Sequence, residues 1–118
     1  MNIIIETEII EKYIIDYLQK KTGVSCYAQY DDASQDTFIV VEKTGGYTDN
    51  FIRHATLAIQ SYGSSLYDAA VLNEKVKEAM DNAAECPRIS ASRHNSDYNY
   101  TDTSTKHYRY QAVYDLVF

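Results

Sequence analysis

Residues 106–118 (KHYRYQAVYDLVF) alternate in side-chain character, and this stretch constrains the fold more than any other. Apolar or aromatic side chains occupy every second position from Tyr108 to Phe118, and polar side chains such as Arg109 and Gln111 stand between most of them. A period of two is typical of a β-strand, because successive side chains point to opposite faces of a sheet. At about 3.3 Å per residue the stretch would reach about 40 Å, which is long for a small domain. We therefore expect a sheet whose last strand extends beyond the core.

Length and composition favour one globular domain that spans residues 1–118. A chain of this length can bury a core of its own, and a hydrophobic content of 45% is typical of a folded protein. A net charge of -6 argues against a broad nucleic-acid-binding surface, which needs clustered lysine and arginine. No apolar run approaches the roughly 20 residues that span a bilayer, so we expect a cytosolic protein with no membrane partner.

Apolar periodicities and turn signals predict two helices and five strands. Apolar side chains recur at steps of three and four in residues 4–22, which predicts a helix that ends at Gly23. A second helix is predicted to begin at Ser65, with Asp68 in the position of a capping-box acid, and to end at Pro87. The predicted strands are residues 24–30, 37–43, 51–62, 88–100 and 106–118.

The element order α-β-β-β-α-β-β predicts an α+β fold. Short links between consecutive strands favour a largely antiparallel sheet of about five strands, with both helices packed on one face. Gly45 and Gly46 are predicted to end the second strand, so that residues 44–50 form a loop. In the third strand, the alternation predicts that Phe51 and Leu57 lie together on the buried face.

The last two predicted strands would form a hairpin rich in tyrosine. If its turn centres near Ser104, Tyr100 faces Tyr108 and Tyr98 faces Tyr110, and all four rings share one face. Such cross-strand aromatic pairs contribute about 0.2–1 kcal/mol each. Two interpretations stay open: the rings stabilise a protruding ribbon, or they contact another subunit.

The sequence contains no recognisable catalytic, metal-binding or phosphate-binding motif. The histidines have no zinc-site spacing, no glycine-rich phosphate loop is present, and no serine stands in a nucleophile elbow. Cys26 and Cys86 form neither a CxxC pair nor a disulfide framework, and we expect them to be buried free thiols. The sequence therefore predicts a protein that is not an enzyme, with no catalytic residue, no cofactor and no metal.

Several segments together resemble one class of protein. These segments are IIEKYIIDYLQKKTGVSCYAQ, FIVVEKTGG, ATLAIQSYGSSLYDAAVLNEKVKEAM and NSDYNYTDTSTKHYRYQAVYDLVF. Together they resemble the small tail-completion (tail-terminator) and head-tail joining proteins of long-tailed bacteriophages and prophages. The resemblance covers nearly the whole chain and lies in the overall pattern, since none of the segments is a catalytic signature.

The resemblance implies a structural function. Tail-terminator proteins have an α+β fold and form a ring, commonly hexameric, on the end of the tail tube. The ring ends tube polymerisation and provides the attachment surface for the head. The implied partners are other copies of the chain, the tail tube protein and the head-tail connector protein, while DNA only passes through the lumen. The implied location is the tail end of the virion, and the host cytoplasm during assembly.

A ring requires interfaces between subunits, and the tyrosines are the residues that we expect to build them, because tyrosine is enriched in protein interfaces. The expected contact residues are Tyr47 in the loop of residues 44–50, and the hairpin residues Tyr98, Tyr100, Tyr108 and Tyr110.

Two other functions stay open at the level of sequence. One is a head-tail joining protein of the neck, which belongs to the same class of virion proteins. The other is a small cytosolic ligand-binding domain or enzyme, which would need a deep pocket lined by His54 or Cys26.

Overall fold

A computed structural model describes residues 9–30 and 36–118, and in this part the predicted α+β fold and element order are confirmed. Residues 4–8 of the first predicted helix and residues 31–35, which precede the second predicted strand, lie outside the described residues. The elements are α1 (Ile10–Thr22), β1 (Cys26–Tyr27), β2 (Phe38–Asp49), β3 (Ile52–Gly63), α2 (Leu66–Asp81), a 3-10 turn (Ala83–Glu85), β4 (Ala91–Asn99) and β5 (Tyr108–Val117).

The five strands form one sheet in the order β1-β2-β3-β5-β4. Every neighbouring pair is antiparallel except β1 and β2, which run parallel, with Cys26 opposite Ile39. The expectation that consecutive strands pair antiparallel is therefore wrong for this pair. Its physical reason is that β1 has only two residues, about 7 Å of chain, and ten residues separate it from β2, so the link is too long to impose a tight hairpin.

Both helices pack on one face of the sheet, as predicted. The core contains apolar side chains of α1 and α2, and Ala112, Tyr114 and Leu116 of the terminal strand are buried in it, which confirms the period-two prediction. Leu57 lies in the same core. We call the sheet face that carries the helices the helix face, and the opposite face the open face.

The helix ends follow local capping chemistry. Gly23 ends α1 with a positive φ of 72°, and Ser65 accepts a hydrogen bond from the Asp68 N–H at the start of α2, as predicted. The second helix ends at Asp81 rather than at Pro87, because the Asn82 side chain donates to the Glu78 carbonyl and closes the last turn. Neither helix is long and apolar enough to cross a membrane, within the residues that the structure describes.

Strand β2 continues through the predicted loop of residues 44–50, which corrects the expected break at Gly45-Gly46. The register of β2 against β3 shifts at a β-bulge between Lys43 and Gly45, and pairing then resumes as far as Asp49. The chain reverses at Asn50 and Phe51, whose φ angles of 49° and 66° are those of a two-residue hairpin turn. Phe51 was expected on the buried face, but it lies in this turn and is 97% exposed.

Candidate functional site

The four tyrosines of the β4–β5 hairpin are divided between the two sheet faces. Tyr98 lies opposite Gln111, and Asn99 lies opposite Tyr110. Tyr98 and Tyr100 therefore lie on the open face, whereas Tyr108 and Tyr110 lie on the same side as the buried core residues of β5. The predicted pairing of Tyr98 with Tyr110 and of Tyr100 with Tyr108 is wrong by one residue. That these tyrosines contact another subunit stays a prediction.

The geometry of the hairpin turn explains this shift. Asp102 pairs with His107 around a four-residue loop in which Lys106 has a positive φ of 58°. The Asp102 carboxylate accepts hydrogen bonds from the Ser104 N–H at 3.0 Å and the Ser104 hydroxyl at 2.6 Å, which lower the pKa of Asp102 to about 2. A loop of four residues moves the register by one position from a turn centred on Ser104, and a one-residue shift moves each side chain to the other face.

A hydrogen-bonded chain of side chains crosses three strands on the open face. Arg109 donates to the Tyr62 hydroxyl at 2.8 Å, and Tyr62 donates to Gln60 at 3.3 Å. Gln60 donates to Gln111 at 3.0 Å, and Gln111 donates to the Tyr98 hydroxyl at 2.6 Å. Both glutamines are buried. We call these five residues the open-face network; it satisfies polar groups that would otherwise be costly to bury.

Aromatic rings connect the tip of the β4–β5 hairpin to the other edge of the sheet. Phe38 stacks on Tyr62 with ring centroids 4.4 Å apart, and Tyr30 packs against Tyr62 at 5.5 Å. The Tyr30 hydroxyl lies 3.2 Å from His107 Nε2, at the hairpin turn. The guanidinium of Arg109 lies 4.5 Å from the centre of the Tyr100 ring. The hairpin tip is therefore held by Tyr62 of β3 and by Tyr30 in the chain after β1, and both of these rings pack against Phe38 of β2.

The second hairpin projects beyond the core with its side chains exposed. Residues 42–53, which we call the arm, comprise the last eight residues of β2, the turn and the start of β3, and all are exposed. Tyr47, predicted to be a contact residue, is 64% exposed and stacks on His54 with ring centroids 4.3 Å apart. Phe51 at the tip is almost fully exposed, and Ile52 beside it is about half exposed. The arm thus presents apolar surface that its own fold leaves in water.

A groove at the base of the arm is lined by the histidine that sequence analysis associated with a ligand site. The groove has a volume of about 370 Å³, and its lining includes His54, Arg93 and Asp115. Both carboxylate oxygens of Asp115 already accept hydrogen bonds, from the Thr56 hydroxyl at 2.8 Å and the Asn95 amide at 3.0 Å. The groove therefore has less free hydrogen-bonding capacity than its lining residues indicate.

A cluster of polar side chains connects α2 to β4 on the helix face. Asp97 accepts hydrogen bonds from Asn73 at 2.9 Å, His94 at 2.7 Å and Lys77 at 3.2 Å. Burial acts to raise the pKa of Asp97, but these three donors together hold it below its ordinary value. His94 is exposed at the surface, and its ring is paired with the Asp97 carboxylate. These hydrogen bonds hold α2 against the edge strand β4, so the charged side chains stabilise the fold.

The remaining reactive side chains give no sign of chemistry in the part of the chain that the structure describes. Cys26 is buried as predicted, and burial raises the pKa of its thiol to about 12, so it stays protonated and is a poor nucleophile. Cys86 is a free thiol of only intermediate burial, so the expectation that both thiols are buried holds for Cys26 alone. Among residues 9–30 and 36–118, no group of three His, Cys, Asp or Glu side chains is placed to hold a metal ion.

Sequence reasoning missed the residues that distinguish these surfaces. Gln60 and Gln111 stand at alternating positions in strands, where the pattern indicates only an outward-facing side chain. Their pairing depends on the register of β3 against β5, which the local sequence does not determine. Phe51 follows Asn50, a residue that tolerates a positive φ, and this was the available signal for a turn.

No family model matches this chain. No curated protein matches it either.

Proposed function

We propose that this protein is a virion assembly protein of a long-tailed bacteriophage or prophage. In this proposal it caps the tail tube as a homo-oligomeric ring, ends tube polymerisation and provides the attachment surface for the head. The proposal rests on the resemblance of four segments of the sequence to tail-completion proteins and on the shape of the described surface. It places the protein at the tail end of the virion, after assembly in the host cytoplasm.

The observation that carries the proposal is the exposed arm. Strand β2 has four buried residues at its start and eight exposed residues at its end, so most of it lies outside the monomer core. Its tip carries Phe51, which is 97% exposed, and Ile52. Neighbouring exposed apolar side chains at the tip of a projecting hairpin are typical of a surface that a partner covers. A subunit of an assembly gains the free energy released when a partner covers them.

The size of this gain can be estimated from the side chains at the tip. Complete burial of a phenylalanine side chain contributes about 1.5–3 kcal/mol, which corresponds to about a tenfold to a hundredfold change in affinity. Tyr47 is a suitable second anchor, because its ring is already ordered by stacking on His54 and loses little conformational entropy on binding. A ring repeats each contact in every subunit, so a modest contact becomes large in the assembly.

The expected partners are other copies of this chain, the tail tube protein and the head-tail connector protein. A net charge of -6 suits a ring through which DNA passes without binding, because a negative lumen repels a polyanion. Tyr98, Tyr100 and Tyr108 at the other hairpin are partly exposed and provide a second surface for such partners.

The groove lined by His54 is the feature that a ligand-binding function would use. A ligand there would have to compete with the hydrogen bonds that Thr56 and Asn95 already make to Asp115. Because a good small-molecule site offers converging polar groups that are free to bind, this groove gives the ligand-binding alternative little support.

Deletion of the gene in a phage or prophage that encodes this protein tests the proposal directly. Loss of a tail terminator should give overlong tail tubes in electron micrographs of the lysate. Normal-length tails next to filled, unattached heads would instead indicate the neck-joining alternative. Infectious virions of normal appearance would contradict both assembly functions.

Ring formation can be tested with the purified protein. Native mass spectrometry and negative-stain imaging should show a closed ring, either free or bound to the ends of tail tubes. A strict monomer at tens of micromolar that also fails to bind tube ends would contradict the proposal.

A further inference from the structure

Both lateral edges of the sheet have unpaired backbone within the described residues. Strand β4 forms one edge along its whole length. At the other edge, β1 covers only Ile39 and Val40, so nothing in residues 9–30 and 36–118 pairs with the outer side of β2 from Glu42 to Asp49. Unpaired strand edges present rows of N–H and C=O groups that readily add another strand.

The two edges run in directions that allow them to pair with each other. Because β2–β3, β3–β5 and β5–β4 are all antiparallel, β2 and β4 run in opposite directions within one subunit. If a second copy is placed beside the first by a rotation about an axis roughly along the strands, its β2 lies antiparallel to the first copy's β4. This contact joins two different surfaces, so repetition of it gives a ring when the rotation closes.

The irregularities of the two edges occur at the same level of the sheet. The bulge of β2 follows Lys43, which pairs with Leu57; Leu57 pairs with Tyr114, and Tyr114 pairs with His94, where the bulge of β4 begins. A bulge on an isolated edge normally hinders pairing with another chain. In a rotational assembly the two bulges would lie side by side. Because a bulge increases the local twist of its strand, both edges would twist more strongly at the same level of the sheet.

The charges on the two edges are complementary on the open face. The free part of β2 presents Glu42 and Asp49 on this face, and β4 presents Arg93, which is exposed. Within the described chain Arg93 has no ion pair, although it lies across the groove from Tyr47. Residue pairing across the strands puts Tyr47 at the same level of the sheet as Ala91, and Glu42 at the same level as Ser96. When the β2 edge of a second copy lies beside β4, Arg93 therefore falls between Tyr47 and Glu42 of that copy.

We propose that copies of this chain join edge to edge, with the β2 edge of the arm of one copy paired antiparallel with β4 of the next. The proposal deepens the proposed function and rests on its ring, since it names the surfaces that the subunits share. The occupant of each free edge is a second copy of this chain. The sheet becomes continuous from subunit to subunit, and the arm reaches across the groove of its neighbour.

Disulfide trapping between two singly substituted chains tests this joint. In a Cys86→Ser background, a chain with Tyr47→Cys is mixed with a chain with Ala91→Cys or Arg93→Cys and oxidised gently, with and without tail tubes. The joint predicts a cross-linked heterodimer as the main product for at least one of these two mixtures. A matched mixture of Tyr67→Cys with Ala91→Cys should give no heterodimer, because Tyr67 is an exposed residue on α2, away from both edges.

A backbone substitution provides a second test that does not depend on the exact register. In a hairpin with a two-residue turn the closing pair, here Asp49 and Ile52, is hydrogen-bonded, so the next residue, Thr48, directs its N–H outward. In agreement, the carbonyl of its partner Arg53 accepts a hydrogen bond from the N–H of Phe118, the residue after β5. Thr48→Pro removes this outward donor and should weaken association about tenfold or more, while Thr48→Ala keeps the donor and should lose much less. The circular dichroism spectra of both variants should match that of wild type, which checks that they fold.

The possible outcomes separate the joint from the proposed function. Rings that form on tube ends without either cross-link would overturn the joint and leave the function intact. Cross-links in a protein whose deletion leaves tail length normal would support the joint and contradict the function. Dimers formed by Tyr47→Cys alone or Arg93→Cys alone would indicate a two-fold contact between like edges and overturn the proposal. Equal assembly of Thr48→Pro and wild type would also overturn it.

Discussion

The two hairpins of the sheet both carry exposed aromatic rings, but the rings differ in the contacts that they receive from the rest of the molecule. At the tip of the β4–β5 hairpin, His107 contacts Tyr30, and Arg109 binds the hydroxyl of Tyr62 on a neighbouring strand. In the arm, Tyr47 stacks on His54 within the same hairpin, and Phe51 is almost fully exposed. Two aromatic side chains of the arm and three of the β4–β5 hairpin are exposed, and within the described residues only in the β4–β5 hairpin does the tip bind side chains from outside the hairpin.

This difference indicates which of the two aromatic surfaces is better suited to bind a partner. A ring whose polar and apolar groups are satisfied inside the monomer already contributes to stability, so covering it further gains little. An aromatic ring that the fold leaves exposed releases the most free energy when a partner covers it. We therefore expect substitutions near the β4–β5 tip to act mainly on folding, and substitutions in the arm to act mainly on assembly.

The largest effect on folding is expected for Tyr62→Ala. The substitution removes a buried ring that stacks on Phe38 and the hydroxyl that binds Arg109, so the free energy of unfolding should fall by about 3–5 kcal/mol. Urea denaturation followed by circular dichroism measures this change. The control Tyr62→Phe keeps the ring and should cost only about 1–2 kcal/mol. Equal losses for the two variants would show that the ring stacking contributes little.

A smaller loss is expected for Gln60→Ala, which interrupts the open-face network in its centre. The change leaves the Tyr62 hydroxyl without its acceptor and the Gln111 side-chain oxygen without its donor, so the free energy of unfolding should fall by about 1–3 kcal/mol. The double variant Gln60→Ala, Gln111→Ala should lose less than the sum of the two single variants, because the residues share a hydrogen bond. Strict additivity in the denaturation curves would contradict a connected network.

The turn of the β4–β5 hairpin should respond to acid. Hydrogen bonds from Ser104 lower the pKa of Asp102 to about 2, compared with an ordinary value of 3.8. A lowered pKa in the folded state means that its contribution to stability is present above about pH 4 and is lost as the pH falls towards 2. The amide resonance of Ser104, followed by NMR, should shift over this range in wild type but not in Asp102→Asn. A shift with a midpoint near pH 4 would contradict the hydrogen-bonded turn.

Much of the fold could be predicted from local patterns. The period-two alternation identified β5 and its buried face at Ala112 and Tyr114, and the Ser65 cap with Asp68 identified the start of α2. These features depend on residues that are neighbours in the sequence, where spacing and capping chemistry determine the outcome.

The candidate surfaces were less predictable, because each depends on a backbone detail or a distant pairing. Lys106 adopts a positive φ that lengthens the hairpin loop by one residue and moves Tyr98 and Tyr110 to opposite faces. Gly45 was interpreted as a strand break, but it follows a bulge that lets β2 continue into the arm. The bond between Arg109 and Tyr62 joins residues 47 positions apart, a separation that period and propensity do not address.

The smallest effect on folding is expected for Phe51→Ala. This variant tests the central claim, which is that the arm is an assembly surface. Because the ring is 97% exposed, the free energy of unfolding should change by less than about 0.5 kcal/mol. Tyr67→Ala, which removes another exposed ring on α2, is the matched control.

The most direct measurement is therefore the length of tails made in a gene-deleted phage or prophage complemented with each variant. The account predicts that wild type and Tyr67→Ala restore tails of uniform length, whereas Phe51→Ala folds normally but leaves overlong tubes. Uniform tails with Phe51→Ala would contradict the assignment of the arm to assembly.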